Sequence, residues 1–164
     1  MIIDDARGVT PSQIRATLHS TILKYGTVDL LEVDYFQLLE ADKATSNRVS
    51  DLETISRKVV NIIGEFNVPM IMTAQVLSKS IDQRQEKRPN FSDIFGSSAP
   101  MKDAYFVSFL YRDEYYNPDT TSWPGEGELI VRAHRDGDTP TIGLVFDGPT
   151  ATFKNKDYSN AINL

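Results

Sequence analysis

The chain has 164 residues, with 40% hydrophobic and 24% charged residues and a formal net charge of −6. These values are typical of one globular domain and argue against intrinsic disorder. The negative charge argues against a protein that coats nucleic acid with its whole surface, although it leaves room for a local basic loop. No cysteine is present, which excludes disulfides, thiolate zinc sites and cysteine nucleophiles and fits the cytoplasmic location that we expect. No apolar run approaches the roughly 20 residues that span a bilayer.

The first predicted elements are the end of a strand and a helix. Residues 1–3 are apolar and precede a pair of aspartates that ends with Asp5, which indicates the tail of a strand. Thr10 and Pro11 form a helix start, and Gly26 lies where the helix would stop. The apolar residues between these signals recur every four positions and are Ile14, Leu18 and Ile22. That spacing predicts a helix with one apolar face, which lies against a sheet.

Residues 28–39 are the stretch around which we expect the fold to be organised. Their apolar, partly β-branched run stops at Asp34 and predicts a buried parallel strand of about five residues. A carboxylate at the end of such a strand lies where α/β sheets bind ligands, and in nucleotide-hydrolysing enzymes it holds the water shell of Mg²⁺. The commoner alternative is an ordinary strand whose final aspartate caps the next turn. Glu32 within the run predicts one face that is less covered than usual.

A polar loop and a second helix follow. Residues 40–47 contain Ala, Asp, Lys, Thr, Ser and Asn and are predicted to form a mobile loop. Ser50 and Glu53 have the spacing of a capping box at the start of a helix over residues 49–66, although a start one turn earlier also fits. The apolar stripe of this helix consists of Leu52, Ile55, Val59, Ile62, Ile63 and Phe66.

A break at Asn67-Val68-Pro69 leads into another short apolar strand over residues 70–73, which ends near Gln75. The order strand, helix, strand, helix, strand is the signature of right-handed βαβ units with a parallel sheet. We therefore expect Asp5, Asp34 and Gln75 side by side at the ligand-binding edge of that sheet.

Residues 76–101 form a long connection without a sustained hydrophobic period. A connection of this length inside a compact domain is usually functional or mobile. Cations exceed anions over residues 79–88, which makes this stretch locally basic in an acidic protein; the cations are Lys79, Arg84, Lys87 and Arg88. An ordinary solvated loop is the alternative, and the charge excess taken alone slightly favours it.

The C-terminal part changes to short strands and tight turns. The predicted strands cover residues 104–111, 128–135, 141–146 and 150–153, with a loop over residues 115–127. Asp136-Gly137 and Asp147-Gly148 are turn sequences typical of hairpins. Alternation along the second of these strands places Arg135 at the end of a face formed by Leu129, Val131 and Ala133. That guanidinium is either a surface charge or a finger directed at a phosphate on a neighbouring subunit.

A series of short motifs occurs in a fixed order between Ile2 and Phe153. The motifs are Ile2-Ile3-Asp4-Asp5 with Gly8-Val9-Thr10-Pro11, Val33-Asp34-Tyr35-Phe36-Gln37-Leu38, Ile55-Ser56-Arg57, Asn67-Val68-Pro69, Gln83-Arg84 with Lys87-Arg88-Pro89, Tyr111-Arg112-Asp113-Glu114 and Arg135-Asp136-Gly137. With these motifs the chain resembles the C-terminal part of the RecA-like motor domain of DnaB-type replicative DNA helicases. Those helicases are hexameric rings that hydrolyse nucleotide while moving along single-stranded DNA.

The resemblance implies a partial RecA-like α/β fold, with a mostly parallel sheet flanked by helices and a C-terminal antiparallel meander. Residues 1–154 are implied to be the C-terminal portion of an ATPase domain, and residues 155–164 a tail. By the same resemblance the cofactors are ATP and Mg²⁺. The implied partners are single-stranded DNA and further copies of the chain in a ring-shaped homo-oligomer.

The resemblance also assigns roles to single residues. Asp34 is implied to be the carboxylate of the Mg²⁺ site, and Gln75 the sensor of the nucleotide γ-phosphate. Arg135 is implied to be the arginine finger, supplied in trans to the nucleotide of the neighbouring subunit. Residues 93–98 correspond to the segment that follows DNA phosphates, where backbone N–H groups make contacts without base information. The implied DNA-binding residues are Lys79, Arg84, Phe95, Gly96, Ser97 and Ser98.

The chain also departs from the pattern of the family. It contains no G-x-x-x-x-G-K-[ST] motif, the phosphate-binding loop, which in the family lies upstream of the Ile2-Ile3-Asp4-Asp5 segment. Ala133 stands in place of a lysine, Phe95 and Gly96 in place of an Arg-Glu pair, and Met101 in place of a glutamate. We therefore expect the C-terminal half of a helicase, inactive in ATP hydrolysis by itself. The alternative is a non-catalytic RecA-like module for oligomerisation or single-stranded DNA binding.

Overall fold

The computed structural model describes residues 1–96 and 99–156. Within them the chain forms two compact units, named here the first and the second unit. The first unit consists of Met1–Leu77 and Ile94–Asp103, and the second of Ser78–Asp93 and the described chain from Ala104 onward. The predicted boundary after residue 154 stays a prediction, and residues 157–164 of the predicted tail lie outside the described residues. No helix of the described ranges is long and apolar enough to cross a membrane.

The first helix, α1, covers Pro11–Tyr25 and confirms both predicted ends. The Thr10 side chain accepts a hydrogen bond from the Gln13 N–H, and the Gln13 side chain accepts one from the Thr10 N–H, which completes a capping box. Gly26 ends the helix at φ 89°, a conformation that glycine adopts without steric cost. The buried residues of α1 are Pro11, Ile14 and Leu18.

Strands β1 (Leu31–Val33) and β2 (Met70–Met72) pair in parallel, as predicted, although both are shorter than expected. Glu32 is exposed, in agreement with the predicted less covered face. The strand predicted at residues 1–3 is wrong, so Asp5 does not follow a strand. A strand needs partner N–H and C=O groups for its ladder, and no strand in the described part of the chain pairs with this segment.

Helix α2 covers Arg48–Phe66 and connects the two parallel strands. The predicted cap at Ser50 is wrong, because the side chain of Asn47 accepts from the Val49 and Ser50 N–H groups at 3.0 and 3.3 Å. The helix thus gains its cap one turn earlier. Asn67 ends it in the left-handed conformation with φ 52°. The buried apolar residues of α2 are Leu52, Ile55, Val59 and Ile62.

The hydrophobic core of the first unit is formed by α1, α2, β1 and the segment that follows β1. Its buried members are Ile14, Leu18, Val33, Phe36, Leu39, Leu52, Ile55, Val59 and Ile62. Phe36, immediately after the β1 edge, is completely excluded from solvent. Burial of such a side chain contributes about 1.5–3 kcal/mol. The core therefore fixes the segment that carries Asp34 and its neighbours.

The long connection after β2 contains short helices where no regular structure was predicted. In the second unit these are α3 (Ser78–Asp82) and a 3₁₀ turn over Phe91–Asp93, and in the first unit α4 (Ala99–Asp103). A helix of one turn cannot display a repeating hydrophobic period, which explains why the sequence pattern did not reveal these elements.

The second unit contains a four-stranded antiparallel meander, which confirms the predicted hairpins. Its strands, in chain and sheet order, are β3 (Phe106–Tyr111), β4 (Glu126–His134), β5 (Thr141–Asp147) and β6 (Thr152–Asn155), and a short helix α5 (Asp113–Tyr116) follows β3. Consecutive β3 residues pair with Ala133 and Val131, so Arg132 is the extra residue of a β-bulge. The strict alternation predicted along β4 fails there, since Val131 and Ala133, predicted on one face, pair with the adjacent residues Ser108 and Val107, which face opposite sides of the sheet.

Candidate functional site

Asp34 follows β1 directly, at the C-terminal end of the parallel pair, as predicted. Its carboxylate is exposed, and Oδ1 accepts a 2.6 Å hydrogen bond from Oγ1 of Thr73, which follows β2. The main chain extends the pairing beyond the strands, because the Thr73 N–H donates to the Val33 carbonyl at 3.0 Å and the Phe36 N–H donates to the Thr73 carbonyl at 2.9 Å. The carboxylate is therefore held on a well-anchored edge while it remains accessible to solvent.

The donor set at this edge fits Mg²⁺. This ion prefers oxygen ligands, keeps several waters and is commonly bound through one or two carboxylates together with substrate phosphates. Asp34 supplies one exposed carboxylate with a hydroxyl beside it. Among the described residues, no group of three or more His, Cys, Asp or Glu is arranged to hold a metal ion. Asp34 could therefore supply one ligand to such an ion, or hold one of its waters.

Gln75, the predicted sensor, follows β2 and is exposed. Its main chain is held by Gln37, which lies in the 3₁₀ helix Phe36–Leu38 after β1. Gln37 Oε1 accepts from the Gln75 N–H at 3.0 Å, and Gln37 Nε2 donates to the Gln75 carbonyl at 3.2 Å. The structure places Asp34 and Gln75 after two neighbouring strands, as predicted, whereas the third predicted member of this edge, Asp5, follows no strand.

The chain after Gln75 returns to the same edge at Phe95. Gln37 Nε2 also donates to the Phe95 carbonyl at 3.0 Å, and the Phe95 N–H donates to the Gln75 carbonyl at 3.0 Å. The sequence motifs contain Gln37 but give it no role. Its side-chain contacts reach residues 38 and 58 positions away, which no local pattern reveals. The one sequence signal for Gln37 is its place three residues after Asp34.

Two of the predicted DNA-binding residues of the segment 93–98 belong to the first unit and are described. Phe95 is 44% exposed. Gly96 has φ +84°, and a Cβ at this position would lie 2.5 Å from Leu52 Cδ1. Both the left-handed backbone and the close approach to α2 require glycine here. Ser97 and Ser98 lie outside the described residues.

One cation of the basic stretch over residues 79–88, Arg84, is paired with a buried carboxylate. Asp93 is 1% exposed, and its oxygens accept hydrogen bonds from Arg84 Nη1 and Nη2 at 2.8 and 2.9 Å. Further hydrogen bonds of 2.9 and 2.8 Å come from Ser80 Oγ and the Asn90 N–H. Burial would raise the pKa of Asp93, but these donors, Arg84 above all, hold it below its usual range. Arg84, a predicted DNA contact, is thus paired within the chain, while Lys79 is exposed on α3.

Arg135, the predicted finger, belongs to the second unit and lies in the turn after β4. Its N–H donates to the Tyr105 carbonyl at 3.1 Å, and its Nε donates to the Ala104 carbonyl at 3.4 Å. Next to it, Asp136 Oδ2 accepts a 2.5 Å hydrogen bond from the Tyr105 hydroxyl, which raises the pKa of that phenol. The turn is therefore fastened to the segment before β3, in a different unit from the predicted metal and sensor residues.

Comparison with known proteins gives matches over nearly the whole chain. Residues 1–155 match the family model of the DnaB-like helicase C terminal domain. The chain is 35% identical over 159 residues to the replicative DNA helicase DnaB of Buchnera aphidicola subsp. Baizongia pistaciae, which covers 97% of this chain and 34% of that protein. It is 36% identical over 163 residues to the replicative DNA helicase DnaC of Bacillus subtilis, which covers 99% of this chain and 34% of the relative.

Solved structures give the same result. A DnaB-like replicative helicase, described with its interactions with primase, matches with a TM-score of 0.85 and 33% identity over 94% of this chain and 38% of its own. A second solved structure, of an ATPase domain, matches with a TM-score of 0.82 and 34% identity over 92% of this chain and 52% of its own. These likenesses confirm the predicted partial RecA-like α/β fold. The chain spans about a third of the length of the curated relatives that it matches.

Proposed function

Because the chain belongs to the family of DnaB-like helicase C-terminal domains, we propose that it is the C-terminal portion of an ATP-dependent replicative DNA helicase. In this proposal the complete protein is a ring-shaped homo-oligomer that couples nucleotide hydrolysis to DNA unwinding in the cytoplasm. The observation that carries the proposal is the polar edge, defined as Asp34, Gln37, Thr73, Gln75 and Phe95. There the Thr73 hydroxyl donates to a carboxylate suited to a metal ion, and the Gln37 side chain joins the main chain of Gln75 to that of Phe95, in the segment assigned to DNA.

ATP and Mg²⁺ are the proposed cofactors. Asp34 is proposed to hold the water shell of Mg²⁺, and the ion supplies neutralisation of the charge on the phosphates. The Thr73 hydroxyl orients the Asp34 carboxylate by donating to its Oδ1. The 164 residues contain no G-x-x-x-x-G-K-[ST] motif, so other residues have to supply the phosphate cradle. The chain by itself is therefore expected to show no ATP turnover.

Gln75 and Arg135 are proposed to act on the γ-phosphate from two different subunits. The amide of Gln75 can donate to a phosphate oxygen or accept a hydrogen bond from the attacking water. The guanidinium of Arg135, supplied in trans, stabilises the charge on the transferring phosphoryl group. Ala133 stands where the family pattern has a lysine, so in this chain the finger acts without that second cation.

Single-stranded DNA is proposed to contact the segment of Phe95 and Gly96, which continues into Ser97 and Ser98, together with Lys79. Contacts to phosphates from backbone N–H groups and a lysine carry no base information. Binding is therefore expected to be independent of sequence and to weaken as the salt concentration rises. Arg84 is proposed to support this region through Asp93 rather than to contact DNA itself.

A chimaeric helicase tests the proposal. Residues 1–155 replace the matching segment of the Bacillus subtilis relative, which supplies the remainder of the protein. We expect ATP hydrolysis that single-stranded DNA stimulates and that the Asp34→Asn substitution removes. DNA binding without any turnover would contradict the helicase assignment. It would favour a second candidate, a non-catalytic module for oligomerisation or single-stranded DNA binding, which the lack of a phosphate-loop motif in these 164 residues supports.

A further inference from the structure

The side chain of Gln37 connects two separate segments of main chain. Its Oε1 accepts from the Gln75 N–H, and its Nε2 donates to the carbonyls of Gln75 and Phe95, at distances of 3.0 to 3.2 Å. The Phe95 N–H closes the network by donating to the Gln75 carbonyl. The peptide groups on both sides of Gln75 are thus fixed by one amide side chain.

Glutamine is the side chain that this network requires. An amide offers one acceptor and two donors, and here the acceptor meets an N–H while the donors meet two carbonyls. Glutamate would keep the acceptor but place a negative charge against two carbonyl oxygens. Leucine would fill a similar volume and make none of the three hydrogen bonds.

Gln37 is itself well anchored. Its main-chain carbonyl accepts from Arg48 Nη2 at 2.9 Å, and the same nitrogen donates to the Leu39 carbonyl at 2.8 Å. Phe36, the preceding residue, is completely buried in the core of the first unit. The base of the side chain is therefore fixed, and the terminal amide, which contacts both Gln75 and Phe95, is the part that can follow a displacement of Gln75.

We propose that Gln37 is a positioning residue that couples the state of the nucleotide, sensed at Gln75, to the DNA-binding segment at Phe95. The inference rests on the proposed function, because it takes the sensor role of Gln75 and the DNA role of Phe95 from it. Asp34 lies three residues before Gln37, so one short segment carries both the metal carboxylate and the coupling side chain. In this arrangement a change at the γ-phosphate moves the Gln75 main chain and, through Gln37, the Phe95 carbonyl.

The coupling is measured in the chimaeric helicase as the ratio of two dissociation constants for a fluorescent single-stranded oligonucleotide. One is measured without nucleotide and the other with a non-hydrolysable ATP analogue. For Gln37→Leu we expect the two dissociation constants to become about equal, so that their ratio approaches one. The DNA-stimulated kcat is expected to fall about tenfold while KM for ATP changes less than about twofold. Gln37→Glu should act in the same direction and preserves the side-chain shape if the leucine variant fails to fold.

Gln85→Leu serves as the matched control, since Gln85 is exposed and lies outside the network. An unchanged ratio and kcat in folded Gln37→Leu or Gln37→Glu protein would overturn the inference and leave Gln37 as a packing residue. A lower melting temperature with an unchanged ratio of the two dissociation constants would overturn the inference as well, because it would show that Gln37 has a structural role alone. The parent chimaera could instead bind DNA with the same affinity with and without nucleotide and hydrolyse no ATP. That result would contradict the proposed function itself, and with it the inference.

Discussion

The polar edge of the first unit and the charged groups of the second unit use polar side chains in different ways. At the edge, the described partner of the Asp34 carboxylate is a hydroxyl, and the group is exposed. In the second unit five cations pair with carboxylates of the same chain; the pairs are Arg84–Asp93, Arg88–Glu128, Arg112–Glu114, Lys154–Asp147 and Lys156–Glu126. Local charge density therefore does not locate a functional site. The partner that each charge already has is the better guide.

This comparison separates two kinds of variant. Substitution of the Asp34 carboxylate at the polar edge should reduce activity without changing the free energy of unfolding, because this exposed group has few contacts. The buried charge cluster of the second unit consists of Asp93 and its donors Arg84, Ser80 and Asn90. Substitutions in this cluster should reduce the free energy of unfolding, because they leave a buried partner unsatisfied.

The largest loss of activity is expected at Arg135, which lies in the second unit but is proposed to act on a phosphate. Arg135→Ala in the chimaeric helicase should reduce kcat by about a thousandfold, the usual contribution of an arginine finger. Steady-state ATP hydrolysis with saturating single-stranded DNA measures this. Arg132→Ala, which removes the bulge cation from the same region, should stay close to the parent rate. Equal losses in both variants would contradict a specific role for Arg135.

Asp34→Asn tests the edge itself. Loss of the carboxylate proposed to hold the hydrated Mg²⁺ should reduce kcat by about a hundredfold or more, while the melting temperature stays unchanged. Asp29→Asn is the matched control, because Asp29 is another exposed aspartate with a threonine hydroxyl as its partner, but lies before β1 rather than after it. A fall in the melting temperature of Asp34→Asn large enough to account for the lost activity would show that the carboxylate is structural.

Asp93→Asn tests the buried cluster of the second unit. The substitution removes the charge that balances Arg84 and one of its hydrogen-bond acceptors, so it should lower the free energy of unfolding by about 2–4 kcal/mol. Urea unfolding of the 164-residue chain at pH 7 measures the change. Glu65→Gln, in the exposed Arg15–Glu65 pair, should have little effect. Equal stability of Asp93→Asn and the parent chain would contradict the cluster's structural role.

The same pair of proteins gives a pH dependence of defined sign. The pKa of Asp93 is lower in the folded chain than its usual value, so its stabilisation is fully present above the unfolded pKa of about 3.9. It is lost as the pH falls through the folded pKa. The stability difference between the parent and Asp93→Asn should therefore stay constant from about pH 7 to pH 5 and shrink below about pH 4. A difference that grows at low pH would reverse the assigned sign.

Two glycines give the smallest and most local test. Gly96→Ala should lower the free energy of unfolding by about 1–2 kcal/mol, because alanine is strained at φ +84° and its Cβ would meet Leu52. Gly64→Ala, inside α2 with no neighbouring atom within 4 Å, should raise it by about 0.5–1 kcal/mol. Urea titrations of the two variants measure effects of opposite sign. Equal signs would mean that the Gly96 backbone is not held against α2.

The sequence predicted the elements whose signals are local. Thr10, Pro11 and Gly26 mark the ends of α1, and turn residues mark the hairpins of the meander. The sequence predictions were wrong where the structure of a segment depends on residues far away in the chain. The apolar residues 1–3 have the pattern of a strand but pair with no strand in the described chain. The Arg132 bulge also depends on the register with β3, which alternation along one strand cannot reveal.

The candidate site shows the same limit. The positions of Asp34 and Gln75 follow from strand ends, which are readable in the sequence. The pairing of Arg84 with Asp93 was hidden because a count of charges over residues 79–88 stops before that partner. The motif that contains Gln37 assigns it no role, because its contacts join segments far apart in the chain.

Strand displacement on a forked DNA duplex measures the proposed motor activity of the chimaeric helicase itself. If residues 1–155 carry the metal carboxylate, sensor, finger and DNA segment of a motor, the chimaera should separate the strands in the presence of ATP and Mg²⁺. The Asp34→Asn form should bind the fork but not open it. A chimaera that binds single-stranded DNA and assembles into rings, yet separates no strands and hydrolyses no ATP, would contradict the account.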